Sequence, residues 1–525
     1  MAGLLRQAPV LPLLIGALGV AMLLPAGFGF VTGDAASGRA FLYSGVLVTV
    51  LSLFVALATS AGSSAGGSAG RRRAAARSRM DDPLTLLVAV LVLAPLLMAV
   101  PVVEAVAGLR FALAWFEMVS SFTTTGATIF DAPRAVPDTV HLWRGLAGWL
   151  GGAFVLSVVA AVSARVAGRG LDPRRGTDPS GPQASLVPGN PAGAPQRARA
   201  GAGRLRGTVL AEARLVLPVY ALVTAAVWIG LVILGNPAFL AFMQAMAAIS
   251  TSGILPGPGM GPAGVRAEAL LLFILALALS RRSLPGVPAD ARATSLPGDP
   301  ELRLGAALIA LAALVLVLPY WLALPAAAEG SALPSALRAF WGALFTAVSF
   351  LTTTGLVSNS WFLVQAWSGP SAPGLVLLGL AMTGGGVATT AGGMKLMRVY
   401  ALILQGRREM ERMVFPSSVG GEGIRRRALR GQAAVASWLF LMLFLLGMIV
   451  ALAALTAMEV PFEAALVFAT AAISTTGPLT QVAADVPLSW AALSDPARAV
   501  LGVTMILGRL ELLLVLALLL GRGGR

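Results

Sequence analysis

The sequence predicts an all-α integral membrane protein with ten transmembrane helices. Two N-terminal helices precede four helix–pore-loop–helix repeats in a pseudo-fourfold arrangement. Three observations predict this. Of the 525 residues, 57% are hydrophobic and only 12% charged, against about 25% charged in an ordinary soluble chain. Ten apolar runs approach the roughly 20 residues that a helix needs to cross a bilayer. One short hydroxyl-and-glycine motif then recurs four times between those runs.

The composition also narrows the function. A formal net charge of +15 would suggest nucleic acid in a soluble chain. Here the basic residues lie between apolar runs, the pattern of arginines that fix topology, so no nucleic-acid partner is expected. With no cysteine there is no disulfide and no thiolate chemistry. The single histidine, His141, rules out a histidine metal cluster. The first run has one arginine before it and no clear small-residue cleavage site, so it reads as a retained helix and not a signal peptide.

The runs are Pro9–Val31, Phe41–Thr59, Leu84–Val106, His141–Val166, Val209–Leu234, Gly264–Ser280, Leu302–Ala327, Pro373–Leu404, Ala434–Met458 and Ala497–Leu520. Arginine clusters follow the even-numbered runs: Arg71, Arg72, Arg73, Arg77 and Arg79; then Arg165 to Arg206; then Arg281, Arg282 and Arg292; then Arg407 to Arg430; then Arg522 and Arg525. All therefore fall on one side, which the positive-inside tendency makes cytoplasmic, with both termini there. The expected organisation is two N-terminal helices with a basic loop over 1–80, repeat one over 81–168 and a linker over 169–207. Repeat two follows over 208–282, a linker over 283–301, repeat three over 302–404, a basic linker over 405–430 and repeat four over 431–525. The Gly/Ser/Ala- and Pro/Gly/Arg-rich linkers read as flexible tethers.

After runs three, five, seven and nine comes an apolar segment too short to cross, ending in a hydroxyl tripeptide and a glycine. The four ends are Thr123-Thr124-Thr125-Gly126-Ala127, Ser250-Thr251-Ser252-Gly253-Ile254, Thr352-Thr353-Thr354-Gly355-Leu356 and Ser474-Thr475-Thr476-Gly477-Pro478. A single copy reads as a capped re-entrant helix whose glycine supplies a left-handed φ. Four copies, each between two spans and on the same side, read as a repeated functional unit. Irregular backbone at membrane depth is tolerated only where protein buries it or water lines it. Four such loops can aim backbone carbonyls at an axis and replace the hydration shell of a cation. No carboxylate lies within the tetrapeptides, which suits a weakly hydrated monovalent cation. Glu104 and Glu117, near the expected outer mouth, read as solvated polar residues or as cation attractors.

These loops resemble those of the Trk/Ktr/HKT superfamily of potassium transporters, and the two leading helices resemble its TrkH type. Further likenesses are Trp143-Arg144 with Trp149-Leu150-Gly151-Gly152, Asp299-Pro300-Glu301-Leu302-Arg303, the run from Thr383 to Lys395, and Gly508-Arg509-Leu510-Glu511. The resemblance implies potassium as the transported substrate, no covalently bound cofactor, a homodimer in membrane lipid, and a cytoplasmic nucleotide-binding ring of the TrkA/KtrA type. It implies ion coordination by Thr124, Thr125, Gly126 and Ala127, by Thr251, Ser252, Gly253 and Ile254, by Thr353, Thr354, Gly355 and Leu356, and by Thr475, Thr476, Gly477 and Pro478.

Gly384, Gly385, Gly386, Gly392 and Gly393, with Thr389 and Thr390, interrupt run eight. Clustered glycines cost a helix about 1 kcal/mol each relative to alanine, so this run reads as a broken helix below the filter, with close helix packing as the alternative. The resemblance makes it a gate. Lys395, the only lysine in the chain, is either part of that gate or a snorkelling cation at a helix end. Arg509 and Glu511 lie inside the last apolar run, where charges are costly and mark function by default. Arg509 is expected to reach the pore or the Gly-rich loop; the alternative is an interhelical Arg–Glu pair.

Two departures from the family pattern bear on selectivity. Leu479 stands after Pro478 where relatives usually have a second glycine, and the tail of run six is short. The other functions considered are a sodium or mixed-cation conductor of the same fold, a polytopic membrane enzyme and a non-conducting sensor. An enzyme lacks a base beside its hydroxyls, and intact filter glycines argue against a degenerate pore.

Overall fold

In the computed structural model, the residues described are 9–61, 83–168, 194–257, 259–279, 299–323, 332–368, 372–386, 389–415, 424–484 and 486–510. Among them the only regular structure is helix. Seven helices are long and apolar enough to cross a membrane. The first is broken at Met22 into α1 (Val10–Ala21) and α2 (Leu23–Thr32), which pack on α3 (Ala35–Ala61). Glycines let these approach: a Cβ on Gly45 would come within 2.8 Å of the Gly19 carbonyl.

The segment expected as repeat one holds α4 (Pro83–Ala105), α5 (Phe111–Phe122), which is the expected pore helix, and α6 (Asp138–Gly168), and the repeat and pore-helix names below are used in that sense. Repeat two comprises α7 (Ala194–Ile233), the pore helix α8 (Ala238–Ser250) and α9 (Val265–Ala278). Repeat three has α10 (Pro300–Ala323), the pore helix α11 (Ala332–Leu351), a short α12 (Trp361–Ser368), α13 (Ala372–Thr383) and α14 (Leu396–Val414). Repeat four has α15 (Ile424–Thr456), the pore helix α16 (Phe462–Ile473), a single turn α17 (Leu479–Val482) and α18 (Asp495–Arg509). Asp299 starts α10 as a cap, its Oδ1 accepting the Glu301 N–H at 3.1 Å, with Pro300 at the first helical position where no N–H is needed.

The packing closes on itself. The helix after each pore loop packs against the pore helix of the next repeat: α6 on α8, α9 on α11, α13 on α16, and α18 back on α5. Glycines set the closest approaches. A Cβ on Gly151 would run into the Phe122 carbonyl at the end of α5, and one on Gly508 into the Ile473 carbonyl at the end of α16. These clashes explain physically why Trp149-Leu150-Gly151-Gly152 and the Gly508-Arg509 pair carry glycine.

Three of the ten expected spans differ from the seven. Run six is the 14-residue α9, and run eight is divided into α13 and α14 by the non-helical Gly-rich segment. Run ten is described only as far as Leu510, so Glu511 lies outside the described residues, as do the arginines at 71–79, 281–292 and 522–525. Two expected linkers are helical over more than one turn. α7 already begins at Ala194, within 169–207, where alanines and arginines favour helix. α14 continues through Gln405 to Val414, within 405–430.

Candidate ion filter and gate

All four pore helices end in the same local structure. The middle residue of each hydroxyl tripeptide is a threonine in the left-handed region: Thr124 (φ 56°), Thr251 (50°), Thr353 (55°) and Thr475 (52°). Its N–H bonds the carbonyl three residues back. The following N–H, of Thr125, Ser252, Thr354 or Thr476, reaches the carbonyl five back at 2.8–2.9 Å. This is a Schellman closure in which the left-handed position is threonine and not the expected glycine. For an L-residue that conformation costs about 1–2 kcal/mol. Gly126 (74°), Gly253 (61°) and Gly355 (76°) are left-handed as well, two residues later. Gly477 is not, because Pro478 drives its predecessor toward extended backbone.

The outer two hydroxyls of each tripeptide pair with each other across that threonine. The distances are 2.8 Å for Thr123–Thr125, 2.9 Å for Ser250–Ser252, 3.0 Å for Thr352–Thr354 and 3.3 Å for Ser474–Thr476. The first hydroxyl of each pair also bonds a carbonyl of its own helix. The middle threonine of each tripeptide takes no part in this pairing. The hydroxyls of Thr124 and Thr475 are buried without a hydrogen-bond partner, whereas those of Thr251 and Thr353 engage the Gly-rich segment.

The four loops meet in a ring. A Cβ on Gly126 would run into the Ser252 carbonyl of loop two, and one on Gly253 into the Thr354 carbonyl of loop three. A Cβ on Gly355 would come within 2.9–3.0 Å of the Pro478 ring in loop four, and one on Gly477 would run into the Ala127 N–H of loop one. Loop four also donates the Gly477 N–H to the Thr125 carbonyl at 2.6 Å. Its own Gly477 carbonyl accepts from the Thr480 hydroxyl at 3.1 Å, and the Ala127 carbonyl accepts from Ser120 at 2.7 Å. The filter residues named from sequence are thus brought together, with loop four the divergent one.

Between α13 and α14, the Gly-rich segment is seated directly beneath the loops; Val387 and Ala388 lie outside the described residues. Thr390 Oγ1 is 2.8 Å from Thr251 Oγ1. The Gly392 N–H donates to Thr353 Oγ1 at 2.8 Å, and a Cβ on Gly392 would run into the Ser474 carbonyl. Three of the four loops therefore touch it. Gly384 and Gly393 are both left-handed (φ 70°) and pack face to face. Arg509, buried in α18, donates its Nη1–H to the Thr390 carbonyl. Lys395 is buried and left-handed (φ 71°) at the start of α14, so it does not snorkel.

The sequence misread Glu117. It is fully buried and ion-paired: Arg144 Nε donates to Glu117 Oε1 at 2.5 Å, and the Ile129 N–H donates to Oε2 at 2.9 Å. Arg144 also contacts His141 Nδ1 at 3.0 Å. The spacing of Glu117 and Arg144 gave no signal of this pairing, because they approach only when α6 folds back on α5. Glu104 is exposed. Glu268, not singled out from sequence, is also buried. It ties repeat two to repeat three by accepting from Trp341 Nε1, Ser358 Oγ and the Asn359 N–H at 2.7–2.9 Å.

A family model described as "Cation transport protein" matches residues 271–520. The chain is 26% identical over 413 residues to the Trk system potassium uptake protein TrkH of Salmonella typhimurium, covering 77% of this chain and 78% of that one. It is 27% identical over 436 residues to the TrkI protein of Halomonas elongata, covering 80% and 79%. The crystal structure of the potassium transporter TrkH from Vibrio parahaemolyticus shares the fold, with a TM-score of 0.70, 22% identity and 98% coverage of both chains.

Proposed function

We propose that this chain is a TrkH-type cation transport protein and that it mediates potassium uptake across the inner membrane of a bacterial-type cell. It is a transport protein and not an enzyme. The observation that carries the reading is the ring of contacts: each filter glycine abuts the next loop in the order one, two, three, four, one. Such a ring presents uncharged backbone oxygen around one axis, and a dehydrated cation is the ligand that suits it.

The ion passes carbonyls and hydroxyls of Thr124–Ala127, Thr251–Ile254, Thr353–Leu356 and Thr475–Pro478. Below them the segment from Gly384 to Lys395 closes the path, and Arg509 holds it shut from α18 through the Thr390 carbonyl. A guanidinium so placed also repels cations until the segment moves. The arginine-rich side is cytoplasmic, with both termini there. The protein works as a homodimer in lipid, regulated by a cytoplasmic nucleotide-binding ring of the TrkA/KtrA type. A second reading, a sodium or mixed monovalent-cation conductor, is favoured by one observation. Loop four lacks the left-handed glycine of the other three and ties up its own filter carbonyl.

The test is growth rescue of a potassium-uptake-deficient bacterium at limiting potassium, with the cognate cytoplasmic partner supplied. Wild type rescues, and Gly126→Ser and Gly355→Asp at equal membrane expression do not. Failure of wild type removes the potassium reading.

A further inference from the structure

Counting back nine residues from each filter glycine gives Glu117, Gln244, Thr346 and Phe468. All four lie on a pore helix, and all are buried. Each makes a contact of a different chemical kind with the chain that returns from its own loop. Glu117 Oε2 accepts the Ile129 N–H at 2.9 Å. Gln244 Nε2 donates to the Met260 carbonyl at 3.0 Å, while its Oε1 accepts from Asn236 at 2.8 Å. Thr346 Oγ1 accepts the Ser358 N–H at 3.4 Å. Phe468 packs edge-on against Trp490, ring centroids 4.8 Å apart. Trp490 Nε1 in turn donates to the Thr480 hydroxyl at 3.0 Å, which donates to the Gly477 carbonyl.

We propose that these four residues are positioning struts that hold the width of the filter, and that the strut in repeat one, Glu117 with Arg144, is the strongest. The proposal rests on the reading of the loops as a cation path. Each loop has a rigid inner limb, the helix end closed by the Schellman bonds, and an outer limb with at most a single helical turn, Pro133–Ala135 in loop one and Leu479–Val482 in loop four. The strut joins the two behind the glycine, so it fixes where the glycine carbonyl stands without touching the ion. Charge-assisted bonds are shorter and stronger than neutral ones, which ranks repeat one above repeats two and three. Repeat four has no direct polar strut, and it is also the repeat in which the glycine leaves the left-handed region. Selectivity between two cations of different radius depends on how far these carbonyls can move, so it should be most sensitive at Glu117.

The experiment compares two double variants of the full chain in liposomes, Glu117→Gln with Arg144→Met, and Glu117→Ala with Arg144→Met. Both remove the ion pair, so neither leaves a lone buried charge. Only the first keeps an oxygen to accept the Ile129 N–H. Potassium and sodium fluxes are measured for each, along with elution from a sizing column in detergent. The expected result is a sodium-to-potassium flux ratio raised about twofold to threefold for the glutamine variant, which keeps the bond but not its charge, and about tenfold or more for the alanine variant. A merely structural role would lower both fluxes together and leave the ratio alone. Equal ratios in the two variants overturn the proposal. If the alanine variant does not fold, Gln244→Met supplies the same test in repeat two, where an unchanged ratio overturns it equally. A wild type that passes no potassium sinks the functional reading itself, before any strut is in question.

Discussion

Thr251 and Thr390 bring their hydroxyl oxygens to 2.8 Å across the boundary between the second loop and the Gly-rich segment. The contact joins a left-handed residue of the candidate filter to the residue whose carbonyl accepts from Arg509. One side chain of the second loop and one of α18 thus contact the same residue of the segment. Removing one neutral hydrogen bond costs about 1 kcal/mol, which shifts a closed-to-open ratio roughly fivefold. Thr390→Val is therefore expected to raise potassium flux in liposomes severalfold when no cytoplasmic partner is present. Unchanged flux would mean the segment is held elsewhere.

Arg509 contributes more. A hydrogen bond to a charged group is worth about 1.5–3 kcal/mol, and the substitution also removes a positive charge from the path. Arg509→Gln is expected to raise partner-independent flux by about ten- to a hundredfold, above Thr390→Val. Since both act on the same segment, the double variant should fall short of the product of the two effects. A full product would separate the two contacts energetically.

The left-handed threonines give a prediction about stability. Thr124 has a strained backbone and a buried hydroxyl without a partner. Thr124→Gly relieves about 1 kcal/mol of strain and loses no hydrogen bond, so the apparent melting temperature in detergent rises. Thr353→Gly relieves the same strain but loses the Gly392 N–H contact, and it gains little or nothing. If the two variants melt alike, the hydroxyl of Thr353 is not holding the segment.

These threonines mark where the sequence stopped being readable. The spans and the four loops were legible because hydropathy and repetition survive without tertiary knowledge. The break in run eight was legible because glycine carries its cost locally. Which tripeptide residue would be left-handed was not, since the rule for helix ends favours glycine and the packing of neighbouring loops overrode it. Glu117 was misread for a related reason. A lone acid near a loop looks solvated until the fold brings Arg144 and the Ile129 N–H to it. The reach of Arg509 to the Gly-rich loop was anticipated, because an arginine buried in an apolar run must find acceptors, and carbonyls of a broken helix are the nearest supply.

Repeats one and four are tied at their exposed ends by Arg110 and Asp495, 2.7 Å apart. The Asp495 carboxyl is held below its ordinary range, first by the hydrogen bond from Arg498 and then by Arg110. A carboxyl lowered in the folded state adds stability above its unfolded pKa and loses it as pH falls through the folded value. The tie is therefore intact from pH 5 to 8. Asp495→Asn is expected to leave the pH profile of flux in that window as it is in wild type, with a small, salt-sensitive loss of stability. A profile that changed slope between pH 5 and 8 would contradict this.

The most direct test of the central claim is the ion flux itself. Purified protein in liposomes is given matched outward gradients of potassium and of sodium, beside a Gly355→Asp variant of equal incorporation. The account predicts potassium flux well above sodium flux in wild type, and loss of potassium flux when a carboxylate is forced against the Pro478 ring. Equal potassium and sodium fluxes, or potassium flux unchanged in the variant, would contradict a potassium path through the ring of four glycines.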